Sequence, residues 1–102
     1  MSTNVKAYRL LHEIDKRLRK DLSLAAHLPA RDVLEIALQT FHEKRTKEEL
    51  DRLWHLNYLR HDLMNFETIS PAQIHFLKEV RSMLFEENDY LIHNSLEETT
   101  YV

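Results

Sequence analysis

Seven histidines, His12, His27, His42, His55, His61, His75 and His93, are the residues of this chain best suited to bind metal or move protons. A helical metal pair needs two ligands three or four residues apart, and no two of these histidines have that spacing. His42-Glu43 begins like the helix of a zinc protease, but Thr46 stands where its second histidine belongs. With no cysteine in the chain, a thiolate metal site, a thiol nucleophile and a disulfide framework are all excluded. Asp51 and His55, four apart, have the spacing of an oriented base, although such a pair is ordinarily a surface contact on one helix face. His61-Asp62 shares a dipeptide with the HD-type phosphohydrolases but none of their further ligands. No serine has a nucleophile's setting, and no carboxylate pair stands out for acid–base work. Glycine is absent too, so phosphate-cradling loops, dinucleotide-binding turns and nucleophile elbows are ruled out as written. The expectation is a protein that is not an enzyme and that holds no cofactor and no metal.

Charge narrows the partners. Residues 1–20 carry six cations and only two acids. Yet the whole chain has a formal net charge of −3, far from the basic balance of a nucleic-acid binder. No nucleic acid is expected. All 14 Lys and Arg lie before residue 82. Residues 86–102 hold Glu86, Glu87, Asp89, Glu97 and Glu98 with no Lys or Arg. The ordinary reading is a solvated acidic tail; the sharper one is a tail that folds back on the basic first helix or steers a partner. No stretch approaches the roughly 20 apolar residues of a membrane span, and the first 20 residues lack the apolar run of a secretory signal. A cytoplasmic location is expected. Peripheral contact of the basic first helix with an anionic membrane is a weaker reading, because no strong aromatic anchors accompany it.

These residues must be positioned by helices. With 43% hydrophobic and 30% charged residues, 102 residues suit one globular domain spanning 1–102. The first helix is expected from about Asn4 to Leu22, capped by Thr3 or Asn4, with Ala7, Leu11, Ile14 and Leu18 on one face. Leu28-Pro29 marks a break. A second helix then runs from Pro29 or Ala30 to Lys44, with Val33, Ile36, Ala37, Thr40 and Phe41 as its stripe, widened by Leu34 and Leu38. Thr46-Lys47-Glu48-Glu49 is a capping box opening a third helix that reaches about Asn65, its broad apolar arc including Leu50, Leu53, Trp54, Leu56, Leu59 and Leu63. Phe66 to Ile69 connects to a fourth helix, announced by Ser70-Pro71-Ala72-Gln73 and ending between Glu86 and Asp89. Each helix has an apolar stripe and a charged face. Joined by short connections, they predict an all-α fold, an antiparallel four-helix bundle with a short C-terminal tail.

The aromatic residues are the remaining functional lead. Trp54, Tyr58 and Phe66 gather around the third helix and its exit, and Tyr90 and Leu91 follow in the tail. Such residues are most often core. Here the third helix is apolar over more than one face, which points to a binding surface. The candidate partner-binding residues are therefore Trp54, Tyr58, Phe66, Tyr90 and Leu91.

Over about residues 5–85 the pattern resembles the immunity proteins for pediocin-like (class IIa) bacteriocins, of the enterocin A immunity type. Asp32-Val33-Leu34-Glu35-Ile36-Ala37-Leu38-Gln39 is similar to that family's second helix, and Leu50-x-x-Leu53 followed by Tyr58-Leu59 to its third. Phe66-x-x-Ile69-Ser70-x-x-Gln73-x-x-Phe76-Leu77 resembles its turn and fourth helix. The resemblance implies a cytosolic four-helix bundle that protects the producing cell. It would act with the mannose phosphotransferase permease that serves as bacteriocin receptor, with specificity in the C-terminal half and tail. The competing expectation is a small regulatory or adaptor module that binds another cytosolic protein, with a homodimer as one form.

Overall fold

The computed structural model describes residues 2–85. They form α1 (Thr3–Asp21), α2 (Ala30–Phe41) and α3 (Lys47–Met64), followed by α4 over 71–85. No strand occurs among the described residues.

Both capping boxes form. The Thr46 hydroxyl accepts from the Glu49 amide at 3.2 Å, while the Glu49 carboxylate accepts from the Thr46 amide at 3.1 Å. Ser70 and Gln73 exchange the same two bonds, at 3.2 and 2.8 Å. At α1 the cap is Ser2, whose hydroxyl accepts from the Val5 amide, and not Thr3 or Asn4. Asn4 is used elsewhere. Its amide nitrogen donates to the Glu67 carbonyl and its carbonyl oxygen accepts from the Ile69 amide, both at 2.8 Å. α2 stops at Phe41, short of Lys44, and a turn over 42–44 follows in which the amides of Lys44 and Arg45 both bond to the Phe41 carbonyl. Arg45 then lies over the Phe41 ring and pairs with Glu49 at 2.7 Å, which commits it to the start of α3.

The packing is antiparallel about α3. The Asn4 bonds and the Tyr8 hydroxyl, which donates to the Leu63 carbonyl, set the start of α1 against the exit of α3. α2 opens in the neighbourhood of Arg60 and Leu63 and leads by a short turn into the start of α3. α4 runs back along α3, with Gln73 bonded to Asp62 and Phe76 edge-on to His55. It therefore travels in the same sense as α1, which it meets through Arg81–Glu13 and through Arg17 over Phe85.

Between the helices lies one apolar cluster containing no buried polar or charged residue among those described. α1 contributes Ala7, Leu10, Leu11, Ile14 and Leu18, and α2 contributes Val33, Leu34 and Ala37. Thr40 is exposed and Ile36 only half-buried, whereas Leu34 is buried and Leu38 packs against the core, so the stripe on α2 is centred on its Leu34–Leu38 side. α3 supplies Leu53, Leu56, Leu59 and Leu63. Ile69 and the α4 residues Ile74, Leu77, Val80 and Leu84 complete it.

The missing glycine is felt at two places. Both α1 and α3 end in a Schellman turn, whose first residue beyond the cap takes left-handed φ. After α1 it is Ser23 (φ 54°), with bonds from Ser23 to Lys20 and from Leu24 to Arg19. After α3 it is Phe66 (φ 58°), with bonds from Phe66 to Leu63 and from Glu67 to Asp62. A side chain in this region costs about 1 kcal/mol relative to glycine.

Candidate functional site

The residue pairs that could have done chemistry are not assembled. No hydrogen bond joins Asp51 to His55 among the described residues; the His55 ring instead lies 5.5 Å from that of Tyr58 and 6.1 Å from that of Phe76. His61 is met by the Asn65 amide at 3.2 Å, while Asp62 accepts from Gln73, so the His61-Asp62 dipeptide is split between two neighbours. His75 pairs with Glu79 on the surface of α4. No group of three or more potential metal ligands occurs among the described residues.

The outer face of α3 is what stands out. At 100° per residue, Trp54 and Tyr58 lie on the side of α3 opposite the buried Leu53, Leu56, Leu59 and Leu63. They are 49% and 58% exposed, so Trp54 leaves the apolar arc that its spacing allowed and stands outside the core. Phe66, 90% exposed, stands at the exit of the helix, while Met64, 77% exposed, turns about 120° from Tyr58 around the axis and borders the cleft between α1 and α3. Phe66 is the most telling of the four. A large aromatic occupies a position where glycine is favoured, and it gains almost no burial in return. Scattered exposed apolar side chains are ordinary, but two large aromatics on one helix face, Trp54 and Tyr58, with a third at its exit, Phe66, mark a candidate contact surface. Aromatic residues are also the side chains most often responsible for binding energy at protein interfaces.

Sequence reasoning missed Met64 and Tyr8. Tyr8 is 55% exposed and rises from α1 beside the end of α3. Its position follows from the antiparallel packing, for which spacing within one helix gives no signal. Tyr90 and Leu91, the other candidate binding residues, lie outside the described residues.

A second feature is the cleft between α1 and α3, of about 330 Å3, in which Arg60 and Asp15 meet apolar neighbours. Burial pushes the Arg60 guanidinium below its ordinary pKa, Asp15 pulls it back up, and Arg19 adds like-charge repulsion. Arg60 Nη1 and Asp15 Oδ1 are buried without a hydrogen-bond partner among the described residues. Asp15 is already paired with Arg19 at 2.7 Å. The three charges compensate one another only in part, which makes them a structural cost of seating α1 on α3.

No helix among the described residues is long and apolar enough to cross a membrane. Compared with protein-family models, curated proteins and solved structures, the chain matches none.

Proposed function

We propose that this protein is a non-catalytic binding module that grips a protein partner with the outer face and exit of α3, through Trp54, Tyr58 and Phe66. The observation that carries this reading is Phe66, an aromatic side chain held 90% exposed at left-handed φ. Local stability would favour glycine there, so the side chain is best accounted for by a use outside the folded chain.

In its specific form, the module is a bacteriocin immunity protein working in the cytoplasm. Its partner is then the mannose phosphotransferase permease carrying a bound class IIa bacteriocin, met from the cytosolic side. The support for that partner is the resemblance of residues 5–85; the support for contact as the mode of action is the exposed face. Sensitive cells expressing the chain are expected to survive at least one class IIa bacteriocin, and cells expressing Phe66→Ala to lose that survival at equal protein level. Failure to protect against any of them overturns the immunity reading. If the chain still captures a soluble protein, and Phe66→Ala abolishes the capture, the adaptor reading takes its place. Equal capture by both forms removes the α3 face as the site.

A further inference from the structure

The outward face of α1 carries Lys6, Arg9, Glu13, Lys16 and Lys20, spaced alternately by three and four residues, so they form one stripe. The four cations are exposed, and none has an acidic partner among the described residues. Glu13, the only acid in the stripe, is already neutralised by Arg81 of α4 at 2.9 Å. Lys16 and Lys20, a like-charge pair four residues apart, repel each other along the helix. Beside them a shallow groove is lined by Lys16, Arg17, Lys20, the Phe85 ring and the Arg81-paired Glu13, with the Arg17 guanidinium 4.8 Å above that ring. Phe85, the last described residue, lines this groove, and the sequence continues Glu86-Glu87-Asn88-Asp89.

We infer that the acidic segment 86–102 docks back along the basic stripe of α1. The charges match in order as well as in sign. Leaving the groove, the segment presents Glu86, Glu87 and Asp89 to Lys16 and Lys20; after an interval containing Tyr90, Leu91 and Ile92 it presents Glu97 and Glu98 to Arg9 and Lys6. Its 17 residues span up to about 56 Å when extended, whereas α1, with 19, is about 28 Å long, so reach is ample. Tethering at the groove gives the segment an effective concentration of about millimolar, an advantage over any separate anionic partner. The docked segment shields α1 from anionic surfaces and leaves the α3 face uncovered. This inference is independent of the function proposed above.

The absence of cysteine makes the test clean. In the full chain carrying Ser95→Cys, a nitroxide label reports through the amide signals of its neighbours. Selective broadening of the outer-face amides of α1 is expected. It should fall severalfold in about 1 M salt, where charges are screened beyond about 3 Å. It should fall comparably in Lys16→Glu/Lys20→Glu, with helicity by circular dichroism confirming that this variant folds. Broadening centred on Trp54 and Tyr58, or none on any helix, overturns the proposal. So does α1 broadening that persists with both lysines reversed. Broadening of an isotope-labelled, nitroxide-free chain mixed with the nitroxide-labelled one shows docking on a second copy and equally overturns it.

Discussion

The exits of α1 and α3 solve one backbone problem in two ways. Both are Schellman turns with a non-glycine residue at positive φ, and both are clamped by a polar side chain from α1. At the first exit the clamp is local. Arg19 donates to the carbonyls of Ala25, Ala26 and Leu28 while paired with Asp15, and this folds the connector back on the helix that launched it. The residue at positive φ is Ser23, small and polar. At the second exit the clamp is long-range: Asn4 reaches residues 67 and 69. The residue at positive φ is Phe66, large and apolar. The strain is similar, so the difference lies in what each side chain gains. A serine there is a tolerable substitute for glycine, whereas an exposed phenylalanine is a poor one unless a partner covers it.

The largest expected effect is on the clamps. Arg19→Ala removes a charged donor from three carbonyls and should cost about 2–3 kcal/mol, while Asn4→Ala, losing two neutral bonds, should cost about 1–2 kcal/mol. Chemical denaturation measures both, and an equal cost would mean that the two exits are not held differently. Next, Phe66→Gly and Ser23→Gly should each raise stability by up to about 1 kcal/mol. Only the first should weaken partner binding; a Phe66→Gly protein that binds normally breaks the comparison. The smallest effect belongs to the entrance of α3. The Thr46 amide, assisted by Arg45, holds the Glu49 carboxylate below the ordinary carboxylate range despite its partial burial. A depressed carboxylate stabilises the fold above its unfolded value, about 4.3, and that support is lost as pH falls through the folded value. The advantage of the native chain over Glu49→Gln in thermal unfolding, under about 1 kcal/mol at pH 7, should thus shrink as the pH is taken below the unfolded value and through the lower folded one. The Asn4 clasp contains no group that titrates there, so Asn4→Ala should show no such change.

How much of this was legible in the chain depends on the range of the interaction. The capping boxes at Thr46 and Ser70 act over three residues, and they were read directly. The core leucines of α3 repeat with the helix, and they too were visible. Asn4 was misread as a cap because its partners are more than 60 residues away. Trp54 was ambiguous because α3 has apolar residues on two sides and only the seating of its neighbours decides which side is buried. Arg60 gave no signal at all, since nothing local shows that α1 will bring Asp15 and Arg19 against it. The left-handed turn at Phe66 was hidden by the residue itself, because the usual marker of such a turn is glycine.

The placement of Trp54 has a practical optical consequence. It is the only tryptophan in the chain, and it stands half exposed on the proposed contact face. Among the described residues the buried cluster consists of leucine, isoleucine, valine and alanine, so it contributes no fluorophore. Intrinsic fluorescence of the native protein is therefore a reporter of docking on α3 and a poor reporter of unfolding. A blue shift on adding a partner marks the covering of that indole, with no label and no substitution required.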